Sequence, residues 1–325
     1  MNLFICATPL HCLLSKALMK KRNLEKKECQ LFYFSDHNKN QEIHKKYYSL
    51  LSEYCDISDY LDIEKSFSSY ISYIKDTFKN KKFESVFVAN VDKMIIHLIL
   101  SYISIEKLYS YDDGIGNLVK SSCFYKKKNK NILTDIKYFF RGNRYNLEKV
   151  KRKITCHYSI YKKNENIIKN IEWVDPSTVF NFNTNTRNNF HTSKKSAIVI
   201  LGTVFDELLE DKKNKGNLLN ALQIFINKNS DNEIYYIPHP RCHEVKLNNV
   251  IEYSEHDIAE VILLRISNNY EQLNVYSFIS TAQFNIENQK IKNSYFISSL
   301  FRKGIEEYTS LCDEFNFTPY NIDIE

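Results

Sequence analysis

Glycine and proline are scarce in this 325-residue chain, at 6 and 5 residues, and tryptophan occurs once. So few breakers exclude a collagen-like or low-complexity chain. No apolar run reaches the ~18 residues that span a bilayer; the longest, near Met94 to Ile103, is broken by His97 and Ser101. Met1 to Leu10 lacks a basic leading region and is interrupted by Thr8-Pro9, so it reads as a buried strand and not as a secretory leader. The 8 cysteines are scattered with no C-x-x-C pair, which excludes a structural zinc site as the first reading and favours a reducing compartment. These absences make the expected location cytoplasmic, with peripheral attachment to the inner face of the cytoplasmic membrane as its extension.

What the chain does contain is material for cores: 43% of residues are hydrophobic and 14% aromatic. Its formal charge is +6, with basic runs at Lys20-Lys21-Arg22, Lys126-Lys127-Lys128 and from Lys137 to Arg144. The plainest reading of such runs is a set of solvated faces. A sharper one is attraction to an anionic membrane surface, where each nearby basic residue contributes on the order of 1 kcal/mol. Acidic residues interleave with the basic ones and no known nucleic-acid module is present, so nucleic acid is not an expected partner.

The length exceeds that at which single cores split, so two domains are expected. Leu3–Ala7, Gln30–Ser35, Tyr60–Ile63, Ser85–Ala89 and Lys107–Tyr111 read as strands. Stretches with apolar spacing of three and four lie between them, at His11–Met19, Glu42–Glu53, Ser66–Phe78 and Lys93–Ile103. A second alternation follows: strand Ala197–Leu201, helix Asn217–Asn227, strands Ile234–Ile237 and Val250–Tyr253, helix Ile258–Ile266 and strand Asn274–Ile279. Alternating strands and helices predict parallel sheets. The polar stretch Pro176 to Lys195 loses hydrophobic period and sets the expected division at 1–185 and 186–325.

Polar clusters close several of these strands, where open α/β sheets bind their ligands. Asp112-Asp113-Gly114 follows Tyr111. Two adjacent, partly desolvated carboxylates predict a raised pKa, which suits a general base; the alternative is a loop that caps the next element. His239 stands between Pro238 and Pro240, which hold the backbone extended around it. Arg241 adds charge there or forms an exposed salt bridge. Ser280-Thr281 closes the next strand, where hydroxyls and backbone N–H groups can open a phosphate-binding helix end or serve as a simple cap. Gly202-Thr203 ends Ala197–Leu201, as a close approach to a ligand or as a turn. Thr8, His11, Asn90 and Asp92 occupy other strand ends and are candidate acceptor contacts. Asn90-Val91-Asp92 is an incomplete version of the Asp-x-Asp pair that holds a divalent cation.

In order and strand context, Asp112-Asp113-Gly114, His239-Pro240 and Ser280-Thr281 resemble the acidic-acidic-Gly, His-Pro and Ser-Ser/Thr motifs of bacterial sialyltransferases. The lipooligosaccharide sialyltransferase group, which is glycosyltransferase family 52-like and shares its family with some α-glucosyltransferases, is the nearest of these. Ala7-Thr8-Pro9-Leu10-His11 is similar to a Thr-Pro-Leu-Gln-like start in that group. The resemblance covers the full length and implies a GT-B fold, two Rossmann-like domains facing across a cleft in which the reaction occurs. It implies an inverting transfer from CMP-sialic acid to a terminal galactose of a surface glycan, lipooligosaccharide or capsule. Asp113 would be the base, with Asp112 orienting the loop or binding acceptor hydroxyls alongside Thr8 and Asn90. His239 would assist the leaving phosphate, with Pro240, Ser280, Thr281, Gly202 and Thr203 around the nucleotide and Glu260 or Glu255 on the ribose. Because the donor carries one phosphate, no metal and no cofactor is expected; a homodimer is. The alternatives are a glycosyltransferase of the same family using another sugar nucleotide, such as a glucosyltransferase, and a non-catalytic nucleotide-binding protein of polysaccharide assembly.

Overall fold

Strands covered by helices on both faces read as continuous apolar runs, and β1 (Asn2–Cys6) and β2 (Cys29–Ser35) are buried at every position. The computed structural model describes residues 1–35, 41–63, 67–125, 136, 138–162, 165–180, 194–242, 244–253 and 257–323. The chain divides into two compact units, Met1–Val179 and Phe180–Glu325. The junction expected after residue 185 and the basic run at 126–128 lie outside the described residues.

In the first unit β1 and β2 are joined by β3 (Ile57–Asp62), β4 (Lys82–Val88), β5 (Ser104–Tyr111), β6 (Ile154–Ser159) and β7 (Ile171–Trp173). All pairings are parallel, in the order β3-β2-β1-β4-β5-β6-β7. Helices Pro9–Lys21, Gln41–Ser52, Phe67–Phe78 and Met94–Tyr102 follow the first four strands, as parallel crossovers require. Phe32, Phe34, Phe78, Ile74, Val86, Val88 and Ile99 are among the side chains of its buried core.

The second unit repeats the plan. Its strands are β8 (Lys194–Leu201), β9 (Glu233–Ile237), β10 (Ile251–Glu252), β11 (Tyr270–Ser277), β12 (Ile291–Ile297) and β13 (Thr318–Asn321), all parallel in the order β10-β9-β8-β11-β12-β13. Helix Lys215–Lys228 buries Leu218, Ala221, Leu222, Phe225 and Ile226, a spacing of three and four that places them on one face. Fully burying each of its Leu, Phe and Ile side chains contributes roughly 1.5–3 kcal/mol. Phe225 meets Phe296 edge to face at 5.3 Å between ring centroids.

The strands expected from sequence are present, and β6, β7, β12 and β13 join them. Each sheet reverses its strand order once, between β1 and β4 and between β8 and β11. Such switch points leave a crevice beyond the carboxyl ends of the strands. Among the described residues, no helix is long and apolar enough to cross a membrane.

Candidate active site

Neighbouring strands β1, β4 and β5 end at the first switch point, and their exits carry His11, Asn90 and Asp113. The Thr8 hydroxyl accepts the His11 N–H at 3.3 Å and caps helix Pro9–Lys21, with Pro9 at its first position. That start folds the His11 ring back onto β1, where the Ala7 N–H donates to Nδ1 at 3.1 Å. A neutral imidazole that accepts at one nitrogen carries its proton on the other. Nε2 therefore donates to Asp113 Oδ1, at 2.8 Å. The Asn90 amide donates to Oδ2 at 2.7 Å, and the Asn90 carbonyl oxygen accepts the Asp92 N–H at 3.1 Å. His11 is 2% exposed and Asp113 23%, so the pair is packed from behind and open at the carboxylate.

Burial works to raise the Asp113 pKa, but the electrostatic influence of His11, the hydrogen bonds from His11 and Asn90, and Lys93 outweigh it and hold the carboxyl below its ordinary range. This overturns the raised value expected from adjacent carboxylates. The reason is that Asp112 is turned into the interior. It is fully buried, with Oδ1 accepting from His157 Nε2 at 3.0 Å and Asn117 Nδ2 at 3.2 Å, and Oδ2 accepting the Ile160 N–H at 2.7 Å. His157 Nδ1 lies 2.7 Å from Ser110 Oγ. Contact between Asp112 and an acceptor is thus corrected: the residue fastens the loop to β6. Gly114, with φ +61°, makes the turn that follows in a region that costs a residue with a Cβ.

The second switch point is built differently. A Cβ on Gly202 would lie 2.7 Å from Tyr236 Oη and 3.0 Å from the His239 backbone nitrogen, so only glycine lets the exit of β8 pass the turn that follows β9. In that turn the Cys242 N–H donates to the His239 carbonyl at 2.8 Å, and the Arg241 N–H donates to His239 Nδ1 at 3.1 Å. The His239 ring proton therefore sits on Nε2, as in His11. Arg241 grips Glu207 bidentately at 2.8 and 2.9 Å, which settles its alternatives in favour of the salt bridge. That hydrogen-bonded pairing lowers the Glu207 pKa against a smaller opposing effect of burial.

Beyond β11 the chain turns at Ile279, whose φ of +66° is rare for a β-branched residue and costs on the order of 1–3 kcal/mol. Surrounding bonds hold it there. Ser277 Oγ accepts the Ser280 N–H at 3.0 Å and donates to Gln283, whose amide reaches the Val275 and Ser294 carbonyls, both at 3.0 Å. Ser280 and Thr281 are half-buried and open helix Thr281–Asn285, which is only 5 residues long. So short a helix adds little dipole. Glu260 lies on the neighbouring helix Ala259–Ser267, buried, accepting from Asn285 Nδ2 at 2.7 Å; desolvation raises its pKa.

The profile of the family described as glycosyltransferase family 52 matches residues 27–299. The chain belongs to glycosyltransferase family 52. It is 26% identical over 313 residues to the CMP-N-acetylneuraminate:beta-galactoside alpha-2,3-sialyltransferase of Pasteurella multocida (strain Pm70), covering 89% of this chain and 88% of that protein. It is also 26% identical over 292 residues to the N-acetyllactosaminide alpha-2,3-sialyltransferase of Haemophilus influenzae (strain ATCC 51907 / DSM 11121 / KW20 / Rd), covering 88% of each. Among solved structures it is similar to a UDP-N-acetylglucosamine 2-epimerase, with TM-score 0.52 and 9% identity over 99% of this chain and 84% of that one, a likeness of fold alone. The fold class is GT-B, with two parallel-sheet α/β units.

In this family 52 chain the structure gathers Thr8, His11, Asn90 and Asp113 at one switch point. It brings Gly202 against the backbone of His239, and joins Glu260 to the helix that Ser280-Thr281 opens. Asn90 serves Asp113, an arrangement absent from the expectation of direct acceptor contact. Thr203 is half-buried, Pro240 is exposed, and Glu255 lies outside the described residues. His157 and Glu207 escaped the sequence reading. The run Ile154-Thr155-Cys156-His157-Tyr158-Ser159 is rich in β-branched and aromatic residues and carried a strand signal; nothing local pointed to Glu207.

Proposed function

We propose that this protein is an inverting sialyltransferase that moves sialic acid from CMP-sialic acid to a terminal galactose of a bacterial surface glycan, in the α-2,3 linkage named for both relatives. Family membership and those relatives support the donor and the reaction class. The observation that carries the mechanism is Asp113, ionised and partly open at the β1/β4 switch, with both oxygens oriented by donors.

Asp113 takes the proton of the galactose hydroxyl as that oxygen attacks the anomeric carbon of the donor. The new carbon–oxygen bond forms on the face opposite the phosphate while the bond to the phosphate oxygen breaks, and CMP leaves with the electron pair. A positioned base of this kind contributes roughly 10²–10⁴-fold. His239 presents its Nε2 proton to the departing phosphate, and Ser280 and Thr281 add hydroxyl donors as charge develops there. Gly202 and Thr203 give the nucleotide a close approach to the backbone, Pro240 holds the His239 turn, and Glu260, with Oε1 already held by Asn285, is assigned to the ribose. A single phosphate needs only donors of this kind, so the reading includes no metal. Peripheral contact with the cytoplasmic membrane belongs to it as well, supported by the exposed Phe139 and Phe140 beside Arg144 and by the basic last turn of helix Leu147–Lys153.

The test is product formation from CMP-sialic acid and a lactose-terminated acceptor in the presence of a chelator. Transfer by the wild type and a loss on the order of 10²–10⁴-fold in Asp113→Asn are expected. Absence of transfer and of CMP release by folded wild-type protein, with turnover of another sugar nucleotide, would move the assignment to that donor.

A further inference from the structure

We infer that His11 is a positioning residue of the transfer reaction, a fixed neutral donor that aims Asp113 and leaves Asp113 alone to receive the proton. The inference rests on Asp113 being the base. Both ring nitrogens of His11 are committed, Nδ1 to the Ala7 N–H at 3.1 Å and Nε2 to Asp113 Oδ1 at 2.8 Å. An imidazolium carries a proton on both nitrogens, which would set an Nδ1 proton against the Ala7 N–H. A proton taken from the acceptor hydroxyl therefore stays on the carboxylate and does not pass through the ring.

The ring is also rigidly seated. It meets the Tyr111 ring edge to face at 5.9 Å between centroids, and the Tyr111 hydroxyl donates to the Ile5 carbonyl and accepts from Ser15 Oγ, at 3.2 and 3.1 Å. The Thr8 cap fixes the helix turn that carries His11. Other titratable groups around the pair are Tyr111 on β5, Cys6 at the end of β1, Cys12 on helix Pro9–Lys21 and, as the cation acting on Asp113, Lys93 at the start of helix Met94–Tyr102. Tyr111 and Cys12 are buried and their pKa values are raised, so neither supplies charge in the neutral range. Burial works to raise the Cys6 pKa, but hydrogen bonds with Cys12, Ser15 and Tyr111 hold it down to about 7, and its thiol is bonded to Ser15 Oγ and Tyr111 Oη at 3.3 and 3.5 Å.

The experiment compares pH profiles of transfer, from CMP-sialic acid to a lactose-terminated acceptor, for wild type, His11→Ala, His11→Gln and Asp113→Asn. A Gln amide offers one N–H donor and one carbonyl acceptor and can replace both ring contacts. His11→Ala is expected to lower kcat by up to about 100-fold, with KM for donor and acceptor within about twofold of wild type, and to move the acidic limb of kcat upward as Asp113 loses a donor. His11→Gln should recover most of the rate and return the limb towards its wild-type position. If His11→Ala does not fold, the limb in His11→Gln decides, since a relay through an imidazole fails in that variant. Wild-type kcat and limb in His11→Ala, or a folded His11→Gln no better than His11→Ala, would overturn the inference. Undiminished transfer by Asp113→Asn would overturn the base assignment beneath it instead.

Discussion

At the β1/β4 switch of the first unit the polar groups satisfy one another, whereas at the β8/β11 switch of the second they are set out by the backbone. Asp113 has a donor on each oxygen, and the adjacent Asp112 is locked to His157, Asn117 and the Ile160 N–H. Ser280 and Thr281 instead owe their placement to Ile279 at positive φ and to the Ser277–Gln283 bonds behind it. The difference matches the two chemical tasks proposed for these sites. A base must be ionised and aimed before its substrate arrives, while a phosphate site needs donors left in reach of an anion. One device is common to both: each histidine accepts a backbone N–H at Nδ1 and so presents its proton at Nε2.

Replacing His157 by Ala tests the closed side hardest after Asp113 itself. It leaves a buried carboxylate without its main partner, and a stability loss of roughly 3–5 kcal/mol is expected from denaturant melts, because breaking a buried pair strands its other member. An unchanged midpoint would mean that Asp112 is held by its other two donors alone. His239→Ala addresses the open side: kcat should fall on the order of 10²–10³-fold, the cost of removing one oriented donor from a developing anion, while CMP binding by calorimetry changes little. An equal loss in binding and rate would assign His239 to ground-state affinity.

Asn90→Ala removes one donor from Asp113 and should move the acidic limb of kcat upward, by less than the combined effect of both donors. The same sign governs stability. A carboxyl held below its unfolded pKa contributes stability that is present above the unfolded value and is lost as pH falls through the folded one. A limb that moves down in Asn90→Ala would contradict the closed-network description. The smallest effect is expected from Ile279→Gly, which relieves backbone strain but gives up a half-buried side chain. Net stability should change by about 1 kcal/mol or less, with a weakened KM for the donor as the sign that the strained turn places Ser280 and Thr281.

The elements near the switch points were legible because their signals are local: the apolar runs of β1, β4, β5, β8 and β11 end abruptly in Thr, Asn, Asp, Gly and Ser. The fate of the two carboxylates was not. The partner of Asp112 stands 45 positions away on β6 and that of Asp113 102 positions away at the start of the first helix. Local spacing sees only that the carboxylates are adjacent. It therefore gave them one shared environment and a raised pKa, where the fold gives one an interior lock and the other a pair of donors. Short outer strands such as β7 and β13, the latter containing Pro319, carry too few residues for a period of two to stand out.

The most direct test of the central claim is transfer by Asp113→Asn set beside its affinity for CMP. An oriented, ionised base in the first unit and a separate phosphate site in the second predict a rate reduced on the order of 10²–10⁴-fold with CMP affinity within about twofold of wild type. Wild-type transfer, or loss of CMP binding in step with the rate, would contradict that division of labour.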